Sequence, residues 1–166
     1  INPDTLILNY KSFTVPADNY IALTDSILNI NNFNVSSGEQ YIRANKTDNS
    51  NIDSVSYMIS FNDFSIDNIL GILESDKEIL NGKINGDLFL ASSAGRLLFN
   101  SELVSSDISL YENKFFDELS LFANNIRKGI TEVEIASKGK NNQLSLIGAI
   151  EGTEDKQNFD LDLNID

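Results

Sequence analysis

Two pairs of carboxylates are the side chains of this sequence best suited to acid–base chemistry. Glu132 and Glu134 stand two positions apart, as do Asp160 and Asp162, so each pair lies on one side of a strand if the backbone there is extended. Two carboxylates that flank a cleft can hydrolyse glycosides. Neighbours on one strand, opposite an apolar face, usually serve only to contact solvent. We therefore predict no catalytic residues and no enzyme, and a carboxylate glycosidase remains an alternative that would require a cleft.

A metal site is the second chemistry to consider. The segment NKTDNSNID, residues 45–53, offers Asp48, Asn49, Asn51 and Asp53 as oxygen donors. An EF-hand loop requires a central Gly and a closing Glu, and this segment has neither, so we expect a solvated hairpin loop. The chain contains no Cys and no His, which removes thiol nucleophiles, Ser-His triads and the usual zinc ligands. We expect no metal and no cofactor.

The charge balance argues against one class of partner. The formal net charge is −13, whereas nucleic-acid binding depends on clustered Lys and Arg. The three arginines, Arg43, Arg96 and Arg127, are far apart and lie among acidic residues, so we expect ordinary surface roles for them. We predict that nucleic acid is not a partner.

Alternation of apolar and polar residues with a period of two recurs along nearly the whole chain and predicts half-buried strands. Loops rich in Asn, Gly, Ser and Asp separate these segments. We count roughly a dozen strands and predict an all-β fold with a curled, largely antiparallel sheet. The polar sides of the strands carry Asp, Glu, Lys, Ser and Asn. Gly within a strand, as in LNGKINGDLFLA at residues 80–91, marks a bulge, a bend or a close approach of two backbones.

The segment INNFNVSSGEQYIRAN, residues 30–45, predicts a hairpin. Phe33 and Val35 precede a Ser-Ser-Gly turn, after which Ile42 and Ala44 return on the same face. A hairpin alone is not stable in water, so another part of the molecule or a ligand must cover its apolar face.

One segment departs from the alternation. In FSIDNILGILES, residues 64–75, four apolar residues follow at helical spacing: Ile66, Ile69, Leu70 and Leu73. Ser65 is a favourable N-cap, and Asp67 suits the first turn of a helix. We predict one short helix near 65–74 that packs onto the apolar side of the sheet, with strands over 1–63 and a strand meander over 79–166 in one continuous antiparallel surface.

A dozen strands that are each apolar on one side need cover, because open twisted sheets rarely exceed about ten strands without curling or splitting. One solution is a closed β-sandwich, for example an adhesion or glycan-binding module. The other is a curled sheet whose apolar side stays partly open for a partner. The absence of Trp and the scattered positions of the five Tyr speak against a glycan platform.

The order of features resembles the TamB family of AsmA-like envelope proteins, in the form found in the Bacteroidetes. The features are a Gly-Glu-Gln turn and strand at 38–40, a short capped helix after a Phe-containing strand, the NGKING strand at 81–86, and a meander through GAIEG at 148–152. The resemblance extends over nearly the whole chain. It implies that these residues form a fragment of a longer, repetitive β protein folded as a β-taco.

This resemblance also implies a function and a location. TamB-like proteins are anchored in the inner membrane, lie in the periplasm of Gram-negative bacteria and act with an outer-membrane barrel of the TamA type, which would contact other regions of the full-length chain. They serve inter-membrane phospholipid transport and outer-membrane protein assembly. We accordingly expect a hydrophobic groove for phospholipid acyl chains or nascent outer-membrane strands. The expected lining residues are Leu88, Leu90, Leu97, Phe99, Leu119, Leu121, Val133, Ile135, Leu144 and Leu146.

Overall fold

The computed structural model describes nine stretches of the chain: residues 5–24, 27–47, 56–72, 80–93, 96–110, 113–125, 129–139, 143–153 and 156–166. Within them are thirteen strands and one helix. In chain order they are β1 (Leu6–Leu8), β2 (Lys11–Phe13), β3 (Tyr20–Thr24), β4 (Ile27–Asn31), β5 (Phe33–Ser37), β6 (Gln40–Thr47), β7 (Ser56–Ser65), α1 (Ile66–Ile72), β8 (Leu80–Ser93), β9 (Arg96–Leu110), β10 (Asn113–Asn124), β11 (Ile130–Lys138), β12 (Gln143–Thr153) and β13 (Lys156–Ile165). The predicted all-β class, the roughly dozen strands and the single short helix are confirmed.

The main sheet is an open, curled meander of nine strands in the order β13-β12-β11-β10-β9-β8-β7-β6-β5. Every neighbouring pair is antiparallel and consecutive in the chain. The predicted hairpin at 30–45 forms its first turn, since Ser37 pairs with Gln40 across Gly38 and Glu39. Gly38 has a φ of 62°, which suits this two-residue connection.

The first four strands do not belong to that sheet. Among the described residues, β1 pairs with β2 alone and β3 pairs with β4 alone, so they form two separate two-stranded sheets. The expectation of one continuous surface from the first strands onward is therefore wrong for this part of the chain. Two short hairpins can fold back over a larger sheet, whereas strands of the same meander remain side by side. The two hairpins therefore cover part of the main sheet, and the alternation of apolar and polar residues could not predict this cover.

The helix α1, described over Ile66–Ile72, lies within the predicted 65–74; residues 73 and 74 lie outside the described residues. The Ser65 hydroxyl donates a hydrogen bond to the carboxylate of Asp67, which in turn accepts the Asn68 N–H at 2.9 Å. In these bonds the side chain that accepts a backbone N–H of the first turn is that of Asp67. Ile69 packs against the largest apolar cluster, and α1 contacts β1, β7 and β8. The side chain of Leu70, and Leu73 as a whole, lie outside the described residues. No described helix is long and apolar enough to span a membrane.

Two glycines disturb the regularity of β8, as the sequence predicts. At Gly82 the pairing with β9 shifts between Asn81 and Lys83. Gly86 has a φ of 117°, and a Cβ built there would lie 2.1 Å from the Glu102 carbonyl oxygen on β9. Only glycine has both the backbone freedom and the space for this approach.

Candidate functional site

One face of the nine-stranded sheet is apolar along its whole width, and we call it the apolar face. Paired residues in an antiparallel ladder lie on the same side of the sheet, so the register can be followed from strand to strand. One row of partners crosses all nine strands: Val35, Ile42, Phe61, Gly86, Leu103, Leu121, Ile135, Leu146 and Leu163. Every member except Gly86 carries a large apolar side chain.

The ten residues predicted to line a groove all lie on this face. On β8 and β9, Leu90 pairs with Phe99, and farther along Ile135 pairs with both Leu121 and Leu146. Leu97 is 55% exposed, and the other nine are half-buried. None of the ten has the full burial of a core residue. Whether they hold a ligand stays a prediction.

Strands β5 to β7 carry the covered end of the apolar face. A core cluster of Leu8, Phe13, Val15, Val35 and Phe64 lies there, joined by the half-buried Ile69 of α1. Phe13 and Phe64 are fully buried, and their ring centroids are 5.7 Å apart in a tilted arrangement. The β1–β2 hairpin and α1 thus exclude water from one side of these strands.

The β3–β4 hairpin contacts the same half of the sheet. β4 lies against β6 and β8, and the Ile30 N–H donates a hydrogen bond of 3.0 Å to the hydroxyl of Tyr57. Tyr57 is buried and pairs with Leu90. Its phenol places one polar atom at the end of an apolar side chain, so the ring can pack while the hydroxyl accepts a hydrogen bond from the backbone of β4.

Strands β9 to β13 carry the open end of the apolar face. The contacts of these strands are chiefly with their neighbours in the sheet. Exposure is greatest on β13, where Phe159 is 62% exposed and Leu163 is 58% exposed. A contiguous exposed apolar surface of this kind normally marks a site for a partner or ligand.

The position of Leu97 and Phe99 is fixed by one residue at the end of β10. The Asn125 side chain accepts the Phe99 N–H at 2.6 Å and donates to the Leu97 carbonyl at 3.0 Å. The backbone N–H of Asn125 donates to the Phe99 carbonyl at 3.1 Å. These three bonds extend the β9–β10 pairing by one residue and hold the start of β9 in register.

The opposite face of the sheet, the polar face, departs from the prediction in one region. Phe89, Ala91 and Leu98 are buried there in a second apolar cluster with Met58. Register confirms their side, because Met58 pairs with Phe89 and Ala91 pairs with Leu98. We expected only Asp, Glu, Lys, Ser and Asn on this side. The available signal was the run Leu88 to Ala91, in which apolar residues occupy both faces of one strand.

A cavity of about 420 Å³ lies over β9 to β11. The row of partners Glu102, Phe122 and Glu134 crosses it on the polar face, with Val104 and Ser120 beside them. Both glutamates are exposed, so the aromatic ring lies between two solvated carboxylates.

The candidate acid–base pairs lie together on the polar face but do not meet. Glu134 and Asp162 both pair with Ile147, one from each side, and Glu132 and Asp160 both pair with Ala149. The strand β12 therefore separates the two pairs of carboxylates. No group of three or more acidic, His or Cys side chains gathers at a metal-binding distance in the described stretches. Residues 48–53 of the candidate metal loop lie outside them.

The cations have surface contacts. The Arg43 guanidinium lies 4.7 Å from the ring centroid of Tyr41; Arg127 and the Arg96 side chain fall outside what the structure describes. Lys114 contacts Asp107 at 2.9 Å and Asp117 at 2.8 Å. The hydrogen bond from Lys114 lowers the pKa of Asp107, and hydrogen bonds to Asp117 and Asp107 raise the pKa of Lys114.

Comparison of the chain with protein-family models, curated proteins and solved structures finds no match. The resemblance to the TamB family therefore has no independent support from these comparisons.

Proposed function

We propose that the open end of the apolar face holds phospholipid acyl chains, and that the chain is a non-enzymatic segment of a TamB/AsmA-like protein that moves phospholipid between membranes. The observation that carries this proposal is the apolar row across nine strands, of which the described cover protects only one end. A core residue stabilises the fold because its apolar side chain is fully buried. Residues such as Leu121 and Leu146, which stay half-buried in the free chain, have surface left for a ligand.

The size of this surface supports an extended apolar ligand. Neighbouring strands lie about 4.8 Å apart, so the four steps from β9 to β13 extend over roughly 19 Å. Each CH₂ group that moves from water onto such a surface contributes about 0.8 kcal/mol. Leu103, Leu121, Ile135 and Leu146 are similar in size and repeat from strand to strand. An acyl chain would therefore bind at several nearly equivalent positions and could slide between them.

Photo-crosslinking tests this proposal with neighbouring positions on opposite faces. A photoreactive residue at Leu121 or Leu146, introduced into the full-length protein in cells, should capture phospholipid. The matched control positions are Phe122 and Ile147, which are adjacent in the chain, apolar and on the polar face. Glu132 and Asp160 provide polar controls on the same side. Equal labelling of both faces, or no lipid at Leu121 and Leu146, would contradict the proposal.

Nascent outer-membrane strands are the second candidate cargo, because their lipid-facing side chains are also apolar. The same two photoreactive positions would then capture polypeptide in place of lipid. An outer-membrane barrel of the TamA type, a periplasmic location and an inner-membrane anchor accompany this proposal through the resemblance, as partners and context of the full-length protein.

An adhesion or glycan-binding β-sandwich is the alternative function. It requires a second sheet opposite β9 to β13, and the described residues supply only the small β1–β2 and β3–β4 sheets, which contact β5, β6, β8 and α1. Binding of phospholipid vesicles and of oligosaccharides, measured side by side, separates the two functions. Oligosaccharide binding without lipid binding would favour the sandwich module.

A further inference from the structure

A row of directly paired residues crosses the interior strands β8 to β12 on the polar face, and we call it the acidic row. It consists of Asp87, Glu102, Phe122, Glu134 and Ile147, each opposite the next. Every one of these strands is hydrogen-bonded to a neighbouring strand on both sides, so the row does not depend on an edge of the sheet. It combines three carboxylates with two large apolar side chains and contains no cation.

The carboxylates of the acidic row lack the counter-charge that the same strands provide elsewhere. Glu118 on β10 lies directly opposite Lys138 on β11, with its carboxylate 3.6 Å from the ammonium group. Neither Glu102 nor Glu134 forms an ion pair with a Lys or Arg of the described stretches. Asp87 and Glu102 are both exposed and directly opposite each other, and like charges in such a pair are destabilising. A bound cation would offset this repulsion.

The apolar members of the acidic row are accessible between the carboxylates. The cavity of about 420 Å³ lies over Glu102, Phe122 and Glu134. Phe122 is half-buried, and Ile147 is 51% exposed. The face of an aromatic ring attracts cations, and apolar side chains gain free energy when a partner covers them. The row therefore suits a partner surface that is both cationic and apolar.

A second copy of this chain does not fit the acidic row. The net charge of −13 produces repulsion between two copies. The described helix α1 carries Asp67 in its first turn and no basic residue in its last turn, so it cannot supply the cations. Charge complementarity therefore requires a different, basic polypeptide.

The spacing along the row matches one side of an α-helix. Neighbouring strands lie about 4.8 Å apart, so Glu102 and Glu134 are separated by roughly 9.6 Å with Phe122 midway between them. Helix residues i and i+7 share one side and are about 10.5 Å apart, and residues i+3 and i+4 lie midway. An extended segment repeats on one side about every 6.7 Å, which does not match the row.

We propose that the acidic row docks a basic amphipathic helix of a partner polypeptide. Lys or Arg residues at i and i+7 of that helix lie at Glu102 and Glu134, and an apolar residue at i+3 or i+4 enters the cavity over Phe122. The next apolar residue, half a heptad farther on, covers Ile147. The first cation also offsets the repulsion between Asp87 and Glu102. The mode is helix-in-groove recognition with anchors at i, i+3 or i+4, and i+7. This surface lies on the opposite side of the sheet from the apolar face and does not rest on the proposed lipid binding.

Three synthetic peptides test this proposal with the 166-residue chain. The first is Ala-rich and about 18 residues long, so that it can form a helix, and carries Lys and Leu alternately at half-heptad spacing on one side. The second has the same composition in scrambled order, and the third has Glu in place of Lys. The first should bind on the order of tenfold more tightly than either control in fluorescence anisotropy at low salt. Its binding should weaken as salt is added, and its helicity should rise on binding in circular dichroism.

Matched charge variants locate the binding surface. Glu102→Gln/Glu134→Gln should weaken binding of the first peptide by about tenfold. Glu39→Gln/Glu151→Gln removes the same charge at exposed positions outside the row and should change the affinity by less than about twofold. Glu102→Lys/Glu134→Lys should reverse the preference, so that the Glu peptide binds more tightly than the Lys peptide. All four altered side chains are exposed, so these variants should fold, which far-UV circular dichroism checks.

Three results would overturn the proposal. Equal binding of the first and the scrambled peptide would show that net charge alone attracts them. Equal losses in the two double Gln variants would place the binding surface away from the acidic row. Binding of the first peptide without a gain of helicity would exclude the helical partner.

Discussion

The covered and open ends of the apolar face have the same strand pattern and different environments. At the covered end, Phe64 is fully buried under Phe13 of the β1–β2 hairpin. At the open end, Leu163 occupies an equivalent side of its strand and is mostly exposed. An alternating strand predicts which side is apolar, but the burial of that side depends on an element elsewhere in the chain. The first hairpin therefore decides which part of this sheet is core and which part is available surface.

The largest expected effect is a loss of stability that differs between the covered and the open end of the apolar face. Phe64→Ala should lower the free energy of unfolding by about 3–5 kcal/mol, because it removes a large side chain from a closed site and leaves a cavity. Leu163→Ala should cost less than about 1 kcal/mol, since more than half of that side chain already meets water. Urea denaturation of both variants measures the difference. Similar losses would mean that the open end is covered in solution.

The second prediction concerns the strand that joins the two ends. Gly86→Ala should destabilise the chain by roughly 2–4 kcal/mol, because its φ of 117° strains any side chain and the new methyl group would clash with the Glu102 carbonyl. Gly38→Ala is the control: its φ of 62° is also positive, but no atom lies within 4 Å of the added carbon. Thermal melts should show a clearly larger loss for Gly86. Equal losses would mean that backbone conformation alone matters at both positions.

The smallest expected effect is electrostatic and lies at the surface of the open end. The pKa of Asp107 lies below its ordinary value of 3.8, so the contribution from its bond to Lys114 is present above pH 3.8 and lost as the pH falls through the lowered value. The pKa of Lys114 lies above 10.5, so its contribution is present below pH 10.5 and lost as the pH rises beyond it. Lys114→Gln should flatten both limbs of the plot of Tm against pH.

Because these charges are fully solvated, the change in Tm should be small and should disappear at high salt. A large, salt-independent shift for Lys114→Gln would show that the cluster of Lys114, Asp107 and Asp117 is buried under another part of the molecule.

The alternating pattern of apolar and polar residues predicted much of the fold. It predicted the all-β class, the hairpin at 30–45, the short helix and the common face of all ten expected lining residues, because the direction of a side chain along a strand is a local property with a period of two. The bulge at Gly82 and the close approach at Gly86 were also visible as glycines within a strand. The register across the nine strands was not predicted from the sequence, and the connection between β7 and β8 includes the helix α1.

The positions of the first hairpins and of the second apolar cluster could not be predicted, because they depend on contacts between residues far apart in the chain. Nothing in the first strands distinguishes an edge of the large sheet from a hairpin that folds over it, yet Phe13 pairs with Leu6 and packs on Phe64. The cluster of Phe89, Ala91 and Leu98 likewise depends on which strands become neighbours. The sequence by itself determined which side of each strand is apolar, since that depends on a residue and its position alone. The tertiary structure decided where this side is covered and where it is open, because burial depends on what packs against it from elsewhere in the chain.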